Sequence, residues 1–297
     1  MSALAFRFVL ATTLALGCAA QAAEVRLTDD SGRSLALAEP ARRIISLAPH
    51  ITELLFAAGA GERVVGTVAY TDYPAAAQRI PHIGDSAQLD LERIVALKPD
   101  LIVVWLHGNS QRQIERLLEL GIPVFYNELH RLDDIARAIE QFGQLAGTES
   151  IALSAASAFR VREADLRARY AGRGPVRVFY QIWDKPLMTI NGDHLISDVI
   201  RLCGGKNVFA ALTQSVPVIS TEAVVTADPE AIFGATTEAN PKGYLNSWQN
   251  WPRINAVAHD NLFGITADLI SRYTPRILEG AQQMCEDLDA ARAKRAQ

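Results

Sequence analysis

Short apolar runs alternate with amphipathic stretches along most of the chain. Four runs are typical of buried strands, at residues 43–47, 64–68, 101–105 and 124–126. The stretches between and after them have the apolar spacing of helices, at residues 52–58, 91–97, 110–120 and 133–146. This alternation predicts an α/β lobe over residues 24–147 that opens with a short hairpin in residues 24–40.

One long amphipathic stretch then interrupts the alternation. Residues 148–172 are predicted to form a single helix that ends near Gly172-Arg173-Gly174-Pro175. A second α/β series follows over residues 173–297, with a strand at 176–180 and helices at 195–202 and 275–295. The sequence therefore predicts two Rossmann-like α/β lobes joined by one long helix, with a ligand cleft between them. Because one stiff helix limits how far the lobes can swing, we expect small closing motions.

Two stretches, 130 residues apart, resemble each other. Residues 91–102 (LERIVALKPDLI) align without a gap on residues 221–232 (TEAVVTADPEAI). A glutamate, a proline followed by an acid, and a closing isoleucine occupy the same places in both. This internal repeat indicates lobes of similar construction that face each other across a ligand.

The first 23 residues are typical of an export signal. Arg7 precedes an apolar run at residues 8–15, and small residues end in Ala20-Gln21-Ala22-Ala23. The apolar run is too short to span a bilayer. Cys18 leaves a lipoprotein alternative open, although the leucine before it is one place too far for a good lipidation sequence. We expect an exported protein with a cleavable signal.

Charge and cysteine content narrow the class further. The net charge of −4, from 29 basic and 33 acidic residues, gives no electrostatic footprint for nucleic acid, so no nucleic-acid partner is expected. A soluble, exported monomer is expected instead. Removal of the signal leaves Cys203 and Cys285 in an oxidising compartment. Their number and wide spacing favour a structural disulfide over the alternative of a metal or redox site.

Five segments occur in an order that is characteristic of one family. The segments are Arg43-Ile44-Ile45-Ser46-Leu47-Ala48-Pro49 with Thr52-Glu53, Tyr70-Thr71-Asp72-Tyr73-Pro74, residues 91–102, Cys203-Gly204-Gly205-Lys206-Asn207, and Thr274-Pro275-Arg276-Ile277-Leu278. Together they resemble the periplasmic binding proteins of cobalamin and iron-siderophore ABC importers, and most of all the cobalamin-binding members.

The resemblance implies both a partner and a ligand. Glu92 and Glu222 match the glutamates, one on each lobe, that dock onto arginines of the dimeric ABC permease in the inner membrane. The ligand would be cobalamin or another corrinoid, carried as cargo rather than as a cofactor, and no catalytic residue or metal site is expected. The positions that match ligand contacts are Pro49, His50, Tyr70, Trp105, Trp183, Met188, Leu269 and Arg272.

The chain also departs from the family pattern. Ser86 and the region of Val218-Ile219 stand where the cobalamin-binding members carry tryptophans, which removes stacking surface. New tryptophans at positions 183, 248 and 251 either compensate or indicate another cargo, such as haem or a siderophore. His50 and Tyr70 would then be candidate iron ligands, whereas His107 and His130 are expected not to touch the ligand.

An exported hydrolase is a further alternative, although no G-x-S-x-G or H-E-x-x-H motif is present.

Overall fold

Two four-stranded parallel sheets form the framework of the molecule. The computed structural model describes residues 24–85, 88–170, 172–237 and 245–295. The predicted export signal and Ser86 lie outside the described residues. Among the helices that are described, none has the length and apolar character needed to cross a membrane.

The described residues of the N-terminal lobe form one four-stranded sheet, a hairpin and four α-helices. Its strands are β1 (Val25–Thr28), β2 (Ser34–Leu37), β3 (Ile44–Ser46), β4 (Val64–Gly66), β5 (Leu101–Trp105) and β6 (Val124–Asn127). Its helices are α1 (Pro49–Ala57), α2 (Leu91–Ala96), α3 (Gln111–Glu119) and α4 (Leu132–Ala146), with 3-10 turns at Gly61–Arg63 and Ala75–Arg79. Strands β1 and β2 pair antiparallel, while the parallel sheet has the order β4-β3-β5-β6.

Helices cover both faces of this sheet, as the apolar strand runs predict. Along β5, Leu101 and Val103 belong to the core beside α1 and α4, while Ile102 and Val104 belong to a second core on the opposite face. All four side chains are fully buried. Because successive strand residues point to opposite faces, an uninterrupted apolar strand suits only a sheet covered on both sides.

The C-terminal lobe repeats this arrangement. Its strands are β7 (Val176–Gln181), β8 (Gly205–Asn207), β9 (Ala231–Thr236) and β10 (Leu262–Thr266), in the sheet order β10-β9-β7-β8. Its helices are α6 (Leu195–Leu202), α7 (Thr221–Ala227), α8 (Asn255–Ala258), α9 (Ala267–Ile270) and α10 (Ile277–Lys294), with a 3-10 turn at Leu245–Asn250. The sheet is parallel throughout. Strands β3, β4, β5 and β6 therefore correspond to β7, β8, β9 and β10.

The sequence repeat is also a structural repeat. Its two copies form α2 with β5 and α7 with β9. Lys98 and Asp228, which occupy the same repeat position, both adopt a positive φ, of 46° and 41°. Arg43, directly before β3, and Arg177, in β7, each donate hydrogen bonds to backbone carbonyls at the C-terminal end of the repeat helix, where the chain leaves it. These equivalences confirm two lobes of one construction.

Helix α5 (Glu149–Tyr170) connects the lobes and is the helix predicted over residues 148–172. It packs closely on α4 because Gly143 has no side chain, and a Cβ there would collide with the Cβ of Ala152. A single buried apolar cluster continues from the N-terminal lobe through α5 into the C-terminal lobe. This continuous core resists bending at the connection.

The predicted disulfide is present, between Cys203 at the end of α6 and Cys285 in α10.

Several predicted helix and strand bounds differ from those of the structure. Helix α1 begins at Pro49 rather than Thr52, since proline is well suited to the first helical position. Pro49 and His50 therefore lie in the first turn of α1 and not in a preceding loop. Strands β8 and β10 were not predicted, and the last helix is shorter at both ends than residues 275–295.

Candidate functional site

A cavity of about 530 Å³ lies between the two lobes. The size is within the range of small-molecule sites, roughly 300–1,000 Å³. Its walls come from the carboxyl ends of strands in both sheets, where α/β folds usually bind ligands. The N-terminal lobe contributes Trp105, His107, Glu128, Leu129 and His130, and the contributions of the C-terminal lobe include Ile182, His194, Ser215, Ser271 and Tyr273.

The carboxylate of Glu128 organises the N-terminal wall. One oxygen accepts a hydrogen bond from the indole Nε1 of Trp105 at 3.2 Å. The other accepts from the backbone nitrogen of His107 at 3.1 Å and lies 2.9 Å from its Nδ1. The backbone nitrogen of Glu128 in turn donates to Asp30 at 2.7 Å. A single, largely buried side chain therefore fixes both an aromatic ring and an imidazole at the cleft.

The loop after β5 is held by backbone contacts. The side chain of Asn109 accepts a hydrogen bond from the backbone nitrogen of Trp105 at 2.7 Å and donates to the carbonyl of Leu47 at 2.9 Å. Gly108 lies against the Trp105 ring so closely that a Cβ would overlap the indole. These contacts set the position of Trp105 relative to the cleft.

His194 and Tyr273 form the polar part of the C-terminal wall. The Nδ1 atom of His194 accepts a hydrogen bond from the backbone nitrogen of Ile196 at 3.2 Å. Nε2 therefore carries the proton and donates to the hydroxyl of Tyr273 at 3.0 Å, which leaves the hydroxyl proton free to donate. Burial, and secondarily the charge of His130, lowers the pKa of His194 to about 4. Burial, and secondarily Glu128, raises the pKa of Tyr273, so both side chains are neutral near pH 7.

His50 packs behind this cleft. Its ring lies edge-on to Trp105 with the ring centroids 5.2 Å apart, and 6.2 Å from the ring of Tyr273. Burial, and secondarily the charge of Arg272, lowers the pKa of His50 to about 4. A neutral imidazole thus supports the two aromatic rings that border the cavity.

Several of the predicted ligand contacts are not among the residues that line the cavity. Tyr70 and Trp183 are 80% and 52% exposed, and Met188 pairs with Trp183 and Val218 through isolated β-bridges. Leu269 is half-buried in α9. Of the eight predicted contacts, Trp105 alone is among the residues that line the cavity. The roles of the others stay predictions.

Arg272 belongs to a cluster of charges that joins the lobes. Its guanidinium pairs with Asp72 and with Glu53 of the N-terminal lobe, and with Asp268 on α9. Arg276 also donates to both oxygens of Glu53, at 3.0 and 2.7 Å. Since the Glu53 side chain is only 3% exposed, this cluster acts as a buried ionic connection between the lobes.

Sequence reasoning did not single out three of the polar residues at the cavity, Glu128, His194 and Tyr273. His107 and His130, which were expected not to touch the ligand, also line the cavity. One signal was present, because Glu128 directly follows the buried run of β6 and so stands at a strand's carboxyl end. Tyr273 adjoins Arg272, which was singled out. Nothing local marks His194, whose partner Tyr273 is 79 residues away in the sequence.

Glu92 and Glu222 are both exposed in the first turns of α2 and α7. The side chains of Asp90 and Ser220 cap these helices by accepting from the backbone three residues on. Hydrogen bonds from its own backbone and from Ser220 lower the pKa of Glu222. Because each helix precedes a parallel strand and runs opposite to it, each glutamate lies toward the strands' carboxyl edge, which is also the cleft edge.

Comparisons with known proteins agree with this architecture. The family model of the periplasmic binding proteins matches residues 44–269. A vitamin B12-binding protein of Vibrio parahaemolyticus is 36% identical over 257 residues, which cover 86% of this chain and 93% of that protein. The crystal structure of the periplasmic vitamin B12 binding protein BtuF of Vibrio cholerae has a TM-score of 0.78 at 37% identity, covering 85% of this chain and 98% of that one.

Haem-binding proteins share the fold at lower identity. The crystal structure of the periplasmic haem binding protein HutB of Vibrio cholerae has a TM-score of 0.72 at 20% identity, and covers 83% of this chain and 98% of that one. A likeness at this level of identity concerns the fold alone.

Proposed function

The chain belongs to the periplasmic binding protein family, and we propose that it captures a corrinoid and delivers it to an ABC importer of the inner membrane. The observation that carries this proposal is the cavity between the lobes, bordered by Trp105 and Tyr273, in a chain 36% identical to a vitamin B12-binding protein. The corrinoid is cargo, and the binding protein catalyses no step.

The cavity suits a flat cargo with a polar rim. Aromatic rings such as Trp105 pack against planar apolar surfaces. The amide groups at the edge of a corrin ring offer carbonyl acceptors, which the free hydroxyl proton of Tyr273 can meet. Because the lobes share one core and a buried ionic connection, binding requires little reorganisation, which favours affinity.

Haem is the second candidate, since haem-binding proteins share the fold. Tyr273, the tyrosine that lines the cavity, is not set up for iron coordination. The hydroxyl of Tyr273 accepts from His194, and its raised pKa keeps the phenol protonated. A phenolate is the form of tyrosine that binds ferric iron, so Tyr273 is a poor iron ligand in this setting.

Titration calorimetry of the mature protein with cyanocobalamin, cobinamide, haemin and a ferric siderophore tests the proposal. We expect one-to-one binding of a corrinoid, without turnover, and at least about tenfold weaker binding of haemin, equivalent to 1.4 kcal/mol. Tighter binding of haemin than of either corrinoid would contradict the proposal and indicate a haem-binding protein.

Docking to the importer would use Glu92 and Glu222. Equivalent charges on twin lobes suit a partner that is itself a symmetric dimer. We expect that reversing both charges, Glu92→Lys with Glu222→Lys, abolishes stimulated corrinoid uptake in reconstituted vesicles and leaves cargo affinity unchanged. Glu119→Lys, on the exposed part of α3, is the matched control and should leave uptake intact. Equal loss of uptake and affinity would contradict the docking role.

The periplasmic form would begin near Ala22 or Ala23 and act as a monomer. N-terminal sequencing of the protein from a periplasmic extract tests the cleavage, and light scattering of the purified protein tests the mass. A lipid-modified Cys18 in the membrane fraction would contradict the first expectation, and a dimer mass the second.

A further inference from the structure

One imidazole on the cleft wall is oriented by a carboxylate. The Nδ1 atom of His107 lies 2.9 Å from Glu128, and the histidine side chain is 72% exposed. An ionised carboxylate can only accept hydrogen bonds, so Nδ1 carries the proton of the neutral ring. The lone pair is then on Nε2, on the side of the ring away from Glu128.

The surroundings of His107 fix this orientation. Its backbone nitrogen bonds to the same Glu128 oxygen at 3.1 Å, so both the loop and the ring are anchored on one group. In metal sites a ligating histidine usually donates its other N–H to a carboxylate, which sets the ring orientation and makes the free nitrogen a better ligand. Within the ranges that the structure describes, no residue forms a hydrogen bond with Nε2 of His107.

The other histidines near the cleft do not share this arrangement. Both ring nitrogens of His194 are engaged, by Ile196 and Tyr273. His50 packs behind Trp105 and is not among the cavity-lining residues. His130 lines the cavity, but across the described part of the chain its ring is not paired with a carboxylate. His107 is therefore the imidazole best prepared to bind a metal carried in the cleft.

We propose that His107 coordinates the cobalt of the bound corrinoid through Nε2. This inference rests on the proposed function. The four ring nitrogens of a corrinoid already occupy the equatorial positions of cobalt, so a single protein ligand is sufficient. In an aquo corrinoid the Co–O bond to the axial water breaks, the Co–N bond forms and the water leaves into the cleft, while the oxidation state of cobalt is unchanged.

Such coordination makes the affinity for a corrinoid depend on whether an axial ligand of its cobalt can be displaced. Corrinoids with a labile axial water should bind better than those with both axial positions blocked by cyanide. We expect a preference for aquocobinamide over dicyanocobinamide of at least about tenfold, the scale on which changes around a metal ligand alter metal affinity. In His107→Ala this preference should disappear.

Electron paramagnetic resonance of bound cob(II)inamide tests the bond directly. Wild-type protein should split each cobalt line into a triplet through one axial nitrogen. His107→Ala should bind cobinamide through the remaining contacts without the triplet, and its exposed position makes it compatible with folding. His130→Ala is the matched control, because it removes the neighbouring cleft histidine, and should keep the triplet.

Each other outcome contradicts the assignment. Cobinamide bound by the wild type without a nitrogen triplet would overturn the role of His107 and leave the proposed function intact. Loss of the triplet in His130→Ala, with retention in His107→Ala, would move the ligand to His130. No binding of any corrinoid, measured by calorimetry on the same samples, would overturn both proposals.

Discussion

The two lobes share one framework and differ at the cleft. Their sheets have equivalent strand orders, and the repeat helices end in the same positive-φ turn at Lys98 and Asp228. At the strand ends the likeness stops. Trp105 at the end of β5 corresponds to Ala235 in β9, and Glu128 after β6 corresponds to Thr266 in β10.

The shared features and the differing features have separate roles. The features that both lobes retain hold the sheets together and present one exposed glutamate per lobe at the cleft edge. The features that differ, Trp105 and Glu128, line the cavity. A duplicated framework with an asymmetric cavity is the arrangement that the proposed docking to a dimeric importer and the proposed binding of an asymmetric cargo would require.

The largest expected effect concerns the disulfide, which occurs in the C-terminal lobe. It spans 82 residues, for which the chain-entropy model gives about 4.5 kcal/mol of stability. We expect reductant to lower the free energy of unfolding in urea by about that amount. The double variant Cys203→Ala with Cys285→Ala should be insensitive to reductant, and an unaffected wild type would contradict the expectation.

The next effect concerns the ionic connection between the lobes. Glu53→Gln leaves Arg276 and Arg272 facing a neutral group at a buried position, which should cost about 3 kcal/mol of unfolding free energy. Asp268→Asn is the control, because Asp268 pairs with the same Arg272 but is half exposed, and should cost less than about 1 kcal/mol. Equal losses in urea unfolding would show that burial is not the source of the effect.

A third test replaces Trp105 by alanine, the residue found at the equivalent position, Ala235, of the C-terminal lobe. Trp105→Ala removes the indole at the cleft and should weaken corrinoid binding by about 2 kcal/mol, close to 30-fold in calorimetry. Trp251→Ala is the control, since Trp251 lines a separate cavity beside α7. Unchanged affinity in Trp105→Ala would exclude stacking at this position.

The smallest effect compares one buried histidine from each lobe. The pKa values of His50 and His194 are lowered from 6.5 to about 4, so the unfolded chain binds more protons between those values. Stability is therefore complete above pH 6.5 and falls as the pH falls toward 4. At pH 5 each histidine should lower the free energy of unfolding by about 1–2 kcal/mol relative to its value at pH 7. His50→Gln and His194→Gln should each flatten this dependence in urea unfolding; an unchanged slope would contradict it.

The framework could be predicted from the sequence because its signals are local. Apolar runs mark β3, β5 and β7, the repeat marks α2 and α7, and the long amphipathic stretch marks α5. Strand β8 was missed because three residues that include Gly205 carry no apolar run. Strand β10 was missed because it is only half-buried and contains Gly264, so its pattern is weak.

The site was less predictable because it is built from distant residues. Trp105 was identified because it matches a ligand-contact position of the family, and it lines the cavity. Its partner Glu128 is 23 residues away, and the pair His194 and Tyr273 is separated by 79. Arg272 was expected to meet the ligand, yet its charge is engaged with Glu53, Asp72 and Asp268. Such pairings depend on how the lobes pack and have no local sequence signal.

Backbone hydrogen exchange with and without cobinamide tests most directly whether the cargo lies between the lobes. The account predicts slower exchange on binding in both walls at once, around residues 105–109 and 128–131 of the N-terminal lobe and around 194–196 and 271–273 of the C-terminal lobe. Protection confined to one lobe, or protection away from the strands' carboxyl ends, would contradict it.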